Sequence, residues 1–593
     1  MLLHSLVYQR SVPCLLYMVI ILWVSCTKPL PPGDPDNAGL FVPDGFEVVS
    51  IVDSTGKVRH LTVRDNGDIY VKMRMQDPEG ENLALRDTDG DGKADVIQKW
   101  GDFEGEGTYG CGMRIYKDYL YFSTAGKVYR NKLTPGKLVP EGPAELILSD
   151  DYRSGEWGYS HIAKPLAFDN EGNMYVPFGA PSDVCRTTRR QAGALGKDPC
   201  PELERHSGVW RFDADQPNQI QDDGYRYATG IRSIVAMAWN PQSDALYALQ
   251  HGRDNFDRSW PDLYTPWQSA MLPSEEFLKI EDGTNAGWPY YYYDQIQGKR
   301  ILSPEYGGDG KMVAGGDTMT QPIFGFPGHW APNDLLFYQG DQFPERYRHG
   351  AFIAFHGSTI RAPYSQSGYF VAFMPFAEGL PSGPWEVFAD GFSFVDTIYN
   401  TSDAGYRPMG LAEGPDGSLY LSESEHGKIW RVMFKGDRES FGETQLLAME
   451  ARKQLPYIKT PHKELDNLDR NLIAAGEKMY NIHCGACHQR NGMGDGNRFP
   501  PLARSEWVTG DLRRLIDIVY NGVDEDEDLV VDGKRYNGIM PPNKHLEDET
   551  IAQILSFIRT NFGNKASTVR EVDVRRFRRW QERQSRNTSE EEI

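Results

Sequence analysis

The sequence predicts a mainly β protein, in which a six-bladed β-propeller is followed by a small all-α domain. Three observations predict this architecture. A turn-then-strand pattern recurs six times between residues 65 and 421, and residues 471–563 follow a helix, loop, helix pattern. The 593 residues also include 60 Gly, 38 Pro and 31 Tyr, a composition typical of a protein rich in turns and strands.

The recurring segment is a polar Asp/Asn/Gly turn that leads into an alternating apolar strand, which is a hairpin signal. The six copies occupy residues 65–71, 117–122, 169–176, 241–249, 348–355 and 415–421. They recur about every 70 residues, whereas a four-stranded blade needs about 40–50. We therefore expect long insertions in blades three to five. A β-sandwich, or a pair of them, is the alternative.

Residues 1–25 are predicted to be an export signal. The apolar run LLYMVIILWV at 15–24 follows Arg10 and is too short for a bilayer span of about 20 residues. The Ser25-Cys26 ending resembles that of a bacterial lipoprotein signal, which implies a lipid anchor on Cys26 and a tether over residues 26–39. We expect an exported bacterial protein that is periplasmic or attached to the outer membrane; plain secretion is the alternative.

The charge balance argues against nucleic-acid binding. Lys and Arg total 63 and Asp and Glu total 84, which gives a net charge of −21. Among the cysteines, Cys185 and Cys200 bracket a polar loop and could form a disulfide in an oxidising compartment. Cys111 is expected to be buried.

The strongest chemical signal is Cys484-Gly485-Ala486-Cys487-His488. C-x-x-C-H is the attachment site of c-type haem. Cys484 and Cys487 can each add to one vinyl group, and His488 is then held beneath the iron as its ligand. A thioredoxin-like dithiol would need a βαβ context, and a zinc site would need a second ligand pair.

The surrounding residues 471–563 resemble a class I cytochrome c domain. The features that carry this resemblance are Gly476, Pro500-Pro501-Leu502 and Gly538-Ile539-Met540-Pro541-Pro542. The resemblance implies Met540 as the second iron ligand, and a thioether ligand raises the haem potential. Met493 is the alternative; if neither methionine binds, the haem is open or takes His545.

The segments around this domain are predicted to be accessory. Residues 434–470 are interpreted as a linker, and residues 564–593 as a basic tail with seven arginines between Arg570 and Arg586. We expect a solvated tail; the alternative is a helix that docks on the acidic body or on anionic lipid. The acidic run 524–528 could dock a basic redox partner, although a solvated loop is the default interpretation.

An acidic loop in the first blade predicts a structural calcium site. Its sequence, DTDGDGKAD at residues 87–95, matches the first half of an EF-hand loop. Asp87, Asp89 and Asp91 stand at the alternate positions that wrap a cation. Gln98 stands where the bidentate Glu would be, so Asp95 could supply that carboxylate. A simple acidic turn is the alternative.

The propeller region, residues 40–433, resembles the glucose/sorbosone dehydrogenase family. The pieces that carry the resemblance appear in this order: FVPDGF at 41–46, DTDGDGKAD at 87–95, GIR at 230–232, GWP at 287–289, FP at 343–344, HGS at 356–358 and RP at 407–408. The family consists of exported six-bladed propellers. Many of them bind pyrroloquinoline quinone (PQQ) with calcium and oxidise sugars, and some carry a fused cytochrome c.

The resemblance also implies site residues. His161 falls at the position of the general base, and Arg232 at that of an arginine that faces the quinone. Ser233 stands where the family has Asn, and Gln339 where it has the quinone-binding Lys. Arg361 is a further cationic candidate for the quinone carboxylates.

Two functions follow as hypotheses. In the first, the propeller oxidises a sugar or another alcohol or aldehyde at PQQ, and electrons pass to the covalent haem and then to a respiratory acceptor. In the second, a cytochrome that carries electrons is fused to a non-catalytic carbohydrate-binding or docking propeller. His161, Arg232 and the fusion itself favour the first hypothesis, and Ser233 and Gln339 favour the second.

Overall fold

A computed structural model of the chain describes its structure over most of its length. The described residues are 29–74, 77–103, 106, 109–150, 160–188, 191–361, 364–398, 400–458, 461–523, 529–531, 533–564, 566 and 568–591. The export signal at 1–25, the lipid anchor expected at Cys26 and the acidic run 524–528 lie outside these residues.

The propeller consists of six four-stranded antiparallel sheets. In the order inner to outer strand, the first three blades are Val58–Val63, Ile69–Met73, Asn82–Arg86 and Val96–Trp100; Met113–Tyr116, Tyr119–Ser123, Lys127–Lys132 and Glu145–Ser149; and Ala167–Phe168, Asn173–Phe178, Gly208–Asp213 and Tyr225–Thr229. The last three are Ile234–Asn240, Ala245–Gln250, Glu275–Ile280 and Phe324–Phe326; Pro332–Phe337, Gly350–Phe355, Phe370–Ala377 and Glu386–Ala389; and Pro408–Glu413, Leu419–Glu423, Ile429–Phe434 and Phe46–Val52.

Shorter elements decorate the blades and the C-terminal region. The additional strands are Gln219–Ile220, Thr284–Asn285, Tyr291–Asp294, Lys299–Leu302, Leu380–Pro381, Leu529–Val531 and Lys534–Tyr536. The α-helices are Phe256–Ser259, Pro266–Met271, Glu345–Arg348, Glu443–Arg452, Pro461–His483, Gly485–His488, Glu506–Thr509, Leu512–Asn521, Asp548–Thr560 and Glu571–Glu591. The 3-10 helices are Asn37–Gly39, Pro201–Glu204, Gln221–Asp223, Pro304–Tyr306, Gly316–Thr318 and Thr401–Asp403.

The six-bladed fold predicted from the sequence is confirmed. Each of the six recurring segments forms the second strand of one blade. The N-terminal strand Phe46–Val52 pairs with Ile429–Phe434 and completes the sixth blade, so the two ends of the ring are joined by hydrogen bonds and packing. The Phe46 ring packs edge-on against Phe343 and Phe388 at 4.9 and 5.1 Å. Closure in this way leaves only short, protected strand edges.

Strand direction gives the propeller two distinct ends. The first strand of each blade starts at one end, and the second strand returns to it; in the fifth blade, Pro332 pairs with Phe355 there. This end, called the cleft face below, carries the residues that precede first strands and follow second strands. Residues that follow first strands, such as Gln339, lie at the opposite end.

The segment interpreted as a linker, residues 434–470, is partly docked on the propeller. Helix Glu443–Arg452 buries Leu446 and Met449, and Met449 belongs to the same hydrophobic cluster as the fifth blade. Tyr457 and Ile458 are 1% and 3% exposed in that cluster. The chain is therefore held against the propeller as far as residue 458.

The C-terminal domain is helical, as the sequence predicts. Helices Pro461–His483 and Asp548–Thr560 cross at Gly476, where a Cβ atom would lie 2.0 Å from the Gln553 carbonyl oxygen. Glycine at this position permits the close approach. Tyr480 packs against Phe557 with ring centroids 5.3 Å apart.

The basic tail differs from the expectation of a solvated end. Helix Glu571–Glu591 buries Val574 and Phe577 in the core of the C-terminal domain. Arg578 donates to the Asp548 carboxylate at 2.7 Å and to the Leu546 carbonyl at 2.8 Å. Val574 and Phe577 are three positions apart and therefore lie on the same face of the helix. The arginine-rich composition of the tail does not reveal this short apolar stripe. Across the described part of the chain, every helix is too short or too polar to traverse a bilayer.

Candidate functional site

A large polar cleft opens on the cleft face of the propeller. It measures about 1500 Å³, including its open mouth. Of the residues predicted from the sequence, His161 and Arg232 both line it. Asp183, Arg186 and Asp254 line it as well. The third and fourth blades supply these residues, because His161 and Arg232 each precede the first strand of a blade.

The His161 imidazole is oriented by the backbone. Its Nδ1 lies 2.6 Å from the Ala180 carbonyl oxygen, and this contact assigns the proton to Nδ1 and leaves a lone pair on Nε2. Burial and the positive charge of Arg232 lower the pKa of His161 to about 3. The side chain is therefore neutral at physiological pH and can accept a proton at Nε2.

A glycine brings His161 and Arg232 together. A Cβ atom on Gly179 would lie 2.5 Å from the His161 carbonyl oxygen and 3.1 Å from that of Arg232. The next residue, Ala180, accepts from His161 and donates its N–H to the Arg232 carbonyl at 2.7 Å. The end of the second strand of blade three therefore sets the spacing of the two candidate residues.

Arg232 is held by an acidic partner. Its guanidinium donates to Asp183 at 2.6 Å and to the Gly252 carbonyl at 2.8 Å. Burial raises the pKa of the Asp183 carboxyl, but the charges of Arg232 and Arg253 and the hydrogen bond from the Asp254 N–H together outweigh burial and lower it. Burial raises the pKa of the neighbouring Asp254. The cleft therefore contains a fixed arginine–carboxylate pair beside the neutral His161.

Two neutral histidines, each beside arginines, lie at the same end of the propeller. Burial and the charges of Arg232 and Arg59 together lower the pKa of His251 to about 4. Burial, Arg407 and Arg59 lower the pKa of His356 well below its ordinary value. Among the described residues, the buried Nε atoms of Arg59 and Arg232 lack hydrogen-bond partners. A donor set of this kind fits a ligand with several carboxylates.

Two other predicted residues fall in different places. Arg361 is buried beside Ile360, which lines the cleft. Gln339 lies at the other end of the propeller, where its backbone N–H donates to Glu413 at 2.8 Å. The six-residue strand Pro332–Phe337 separates it from the cleft face by about 20 Å. We therefore leave Gln339 out of the site.

A disulfide shapes the mouth of the cleft. Cys185 and Cys200 are bonded, as the sequence analysis suggested, and Arg186 and Lys197 inside the closed loop both line the cleft. The backbone N–H and hydroxyl of Ser182 donate to Glu202 at 3.0 and 2.6 Å. Cys111, which was expected to be buried, is fully buried away from this loop.

The C-terminal domain contains an apolar cavity of about 1080 Å³. Cys484, Cys487, His488 and Met540 all line it, and both cysteines carry free thiols. The His488 Nδ1 lies 3.0 Å from the Pro500 carbonyl oxygen, so Nδ1–H donates and Nε2 is available to a metal. Burial lowers the pKa of His488, which favours the neutral form that binds iron. The residues fit a covalently attached haem.

The alternative iron ligands are not at this cavity. Met493 is 56% exposed and does not line it, and neither does His545. Met540 is positioned by a pair of backbone hydrogen bonds with Val523, at 3.0 and 2.9 Å. The geometry therefore favours Met540 among the three candidates.

Three of the four predicted calcium ligands converge. Carboxylate oxygens of Asp87, Asp89 and Asp95 lie within 4.8 Å of one another, while Asp91 is not part of this group. Asp91 instead accepts from the Lys93 backbone N–H at 2.8 Å. The loop follows the third strand of the first blade, at the end of the propeller opposite the cleft. A cation bound there would stabilise the blade and would not contact a ligand in the cleft.

Comparison with known families separates the chain into the same two regions. Residues 118–362 match the family model described as Glucose / Sorbosone dehydrogenase. Residues 311–435 match a model described as TrAA12-like. Residues 471–558 match the model of the Cytochrome C oxidase, cbb3-type, subunit III.

Individual relatives agree with this division. Aldose sugar dehydrogenase YliI of Escherichia coli K12 is 26% identical over 278 residues, which are 46% of this chain and 60% of that protein. Cytochrome c-552 of Thermus thermophilus is 38% identical over 95 residues, 15% of this chain and 70% of that protein. The chain spans about half the length of the curated relatives that its propeller matches, 48% of one and 60% of YliI.

The fold is shared with a solved structure as well. The PQQ domain of pyranose dehydrogenase from Coprinopsis cinerea superposes with a TM-score of 0.53 at 16% identity, covering 68% of this chain and 98% of that domain. The propeller region of the chain therefore contains a domain that matches the glucose/sorbosone dehydrogenase family model, and its C-terminal domain belongs to the cytochrome c family.

Proposed function

We propose that this protein is an exported quinohaemoprotein oxidoreductase that oxidises a sugar or another alcohol or aldehyde at PQQ and passes the electrons to covalent haem c. The observation that carries the proposal is the neutral His161 imidazole, whose Nε2 lone pair shares the cleft with the fixed Arg232–Asp183 pair. The aldose sugar dehydrogenase activity named for the Escherichia coli relative agrees with this substrate class.

His161 acts as the general base in this proposal. The Ala180 carbonyl holds Nδ1–H, so Nε2 takes the proton of the substrate hydroxyl or hydrated aldehyde as the substrate is oxidised. The low pKa of the imidazole keeps Nε2 unprotonated before the reaction. When it is bound, PQQ supplies the two-electron acceptor for the substrate carbon.

The cofactor would be held by the cationic residues of the cleft face. Arg232 lines the cleft, Arg361 lies behind its wall, and Arg59 and Arg407 flank His356. The buried Nε atoms of Arg59 and Arg232 have no partner in the described structure, and charge-assisted guanidinium–carboxylate hydrogen bonds are roughly twice as strong as neutral ones.

The haem side of the proposal uses the C-terminal cavity. Cys484 and Cys487 would form the two thioether links, and His488 Nε2 and the Met540 sulfur would bind the iron. One-electron transfer to a respiratory acceptor would follow. A tether between the two centres keeps their effective concentration high.

Location and structural metal belong to the proposal too. The Cys185–Cys200 disulfide is typical of an exported protein, which agrees with an export signal at residues 1–25 and a lipid anchor on Cys26 in a bacterial periplasm or outer membrane. Asp87, Asp89 and Asp95 would bind a calcium ion that stabilises the first blade.

The test uses full-length exported protein, matured with haem and reconstituted with calcium and PQQ. A panel of aldoses and simple alcohols is added, and the α-band of reduced haem is followed. We expect haem reduction that requires both a substrate and PQQ. Haem that stays oxidised with the whole panel, together with loss of PQQ on desalting, would overturn the proposal. That outcome would favour an electron carrier fused to a carbohydrate-binding or docking propeller.

A further inference from the structure

The chain leaves the propeller beside the cleft. In the fifth blade, Phe355 pairs with Phe370, and Val371 pairs with Ala389. These pairs place the end of the outermost strand, Glu386–Ala389, on the cleft face. Asp390 follows this strand directly and therefore lies on the same face. The loop between Phe355 and Phe370 carries Ile360 into the cleft wall.

Three contacts fasten the linker at this edge. The Tyr457 hydroxyl donates to both carboxylate oxygens of Asp390, at 2.8 and 3.0 Å. Arg452 donates its Nε–H to the same carboxylate and stacks over the Phe41 ring at 3.6 Å. The Asp390 side chain is fully buried. We call Asp390, Arg452 and Tyr457 the clasp.

The clasp also touches the loop that borders the cleft. The Tyr457 carbonyl accepts from the Gly368 N–H at 3.1 Å. A Cβ atom on Gly368 would lie 2.8 Å from the Gly357 nitrogen, so the two ends of the loop are in direct contact under the linker. The end of the linker therefore covers the base of one cleft wall.

The haem domain starts immediately after the clasp. Helix Pro461–His483 begins three residues after Ile458 and ends at the residue before Cys484. It contacts helix Pro266–Met271 of the fourth blade. That short helix lies close to the cleft. Its Ser269 carbonyl oxygen is 2.8 Å from Nε2 of His329, and Nδ1 of His329 is 3.8 Å from Oδ1 of Asp254, which lines the cleft.

We propose that Asp390, Arg452 and Tyr457 are positioning residues that hold the cytochrome domain against the cleft face and so give electrons an intramolecular route from the propeller to the haem. This inference rests on the proposed function for its electron-transfer part. The clasp fixes the linker, since a buried carboxylate with two linker partners is costly to leave unpaired, and the contact of helix Pro461–His483 with helix Pro266–Met271 extends this attachment to the haem domain. Electron transfer weakens steeply with distance, so a domain that swings away would lose this route.

The experiment compares three forms of the full-length holoprotein. The test variant is R452Q/Y457F, which removes both linker partners of Asp390 and keeps the propeller sequence intact. The control is K453Q, next to Arg452 on the same segment, whose ion pair with Glu450 is separate from the clasp. Small-angle X-ray scattering measures the maximum dimension, stopped-flow absorbance measures haem reduction by substrate, and a small soluble redox dye measures the turnover of the propeller alone.

We expect the R452Q/Y457F protein to have a larger maximum dimension than wild type. We also expect its haem to be reduced at least about tenfold more slowly, because the effective concentration of the two centres falls. Dye turnover should stay within about twofold, and K453Q should match wild type in all three measurements. Unchanged dimensions and unchanged haem reduction would overturn the inference. An equal loss of dye turnover and haem reduction would also overturn it, since the clasp would then only support the cleft wall. If wild type turns over no substrate with the dye, the proposed function fails, and the scattering comparison still decides the docking.

Discussion

The His161 imidazole and the Ala180 carbonyl are joined by a 2.6 Å hydrogen bond. The Ala180 N–H donates in turn to the Arg232 carbonyl at 2.7 Å. One backbone residue thus fixes both the tautomer of the candidate base and its distance from the candidate cofactor arginine. Gly179 makes the arrangement possible, because any side chain there would collide with the His161 backbone.

Replacing His161 by Asn should abolish most turnover. Asn has no lone pair of comparable basicity at the Nε2 position, so we expect the dye-coupled kcat to fall by about 10²–10⁴-fold. His206→Asn is the matched control, because His206 is also an imidazole with a lowered pKa of about 4 but does not line the cleft. Equal rates for wild type and the His161 variant would remove His161 from the mechanism.

The same variant should change how stability depends on pH. The folded pKa of His161 is about 3, below the unfolded value of about 6.5. Between these two pH values only the unfolded chain binds a proton at His161, so the free energy of unfolding of wild type decreases as the pH falls. His161→Asn has no imidazole at this position, so its free energy of unfolding lacks this decrease. From pH 7 to 5, the variant should gain about 2 kcal/mol relative to wild type.

Urea unfolding of both proteins at the two pH values, followed by tryptophan fluorescence, measures this difference. A pH-independent difference would mean that the imidazole titrates normally in the folded protein.

Met540 and Met493 give a matched pair for the haem. Met540→Leu should lower the haem potential by about 0.1 V, a fraction of the roughly 0.8 V that axial ligands span, since the thioether ligand is lost from the cavity. Met493→Leu should leave the potential unchanged, because Met493 is exposed and outside the cavity. Redox titration of the purified holoprotein decides between them; a shift with Met493→Leu alone would reverse the assignment.

Asp89 and Asp91 offer a similar pair for calcium. Each carboxylate accepts one backbone N–H within the loop, at 3.1 and 2.8 Å, but only Asp89 belongs to the converging group. Calcium at 100 times its dissociation constant should stabilise wild type by about 2.7 kcal/mol. Asp89→Asn should lose most of this gain, and Asp91→Asn should keep it. Thermal melts with calcium and with chelator measure both, and equal gains in both variants would exclude Asp89 as a ligand.

The sequence was informative where function is encoded locally. The turn-then-strand repeats identified the second strand of every blade, and the C-x-x-C-H motif lies on one helical turn at the haem cavity. His161 and Arg232 were identified only through the resemblance to the glucose/sorbosone dehydrogenase family, and the structure places both at the cleft. The proximity of Arg59 and Arg407 arises only through closure of the ring, so no local pattern predicts it, although RP at 407–408 belongs to the family resemblance.

The errors have physical causes as well. Gln339 was placed by a short motif, which does not show at which end of a strand a residue emerges, and its strand runs away from the cleft. Asp91 matched the EF-hand spacing, but its carboxylate lies outside the group that Asp87, Asp89 and Asp95 form. The linker and the tail were interpreted from their charge, although a few buried side chains dock each of them.

The tail provides the last prediction. Phe577 is 5% exposed, and its ring centroid lies 5.7 Å from that of Tyr520. Truncating it in Phe577→Ala should destabilise the cytochrome domain by about 3–5 kcal/mol, the usual effect of removing a buried aromatic ring. Arg576→Ala, whose side chain is exposed one position earlier, should stay within about 0.5 kcal/mol of wild type. Denaturant unfolding followed at the haem Soret band measures both. If the two variants are equally stable, the helix contributes nothing to the core and the tail behaves as the solvated end that its composition predicts; a loss confined to Phe577→Ala makes residues beyond 563 an integral part of the haem domain.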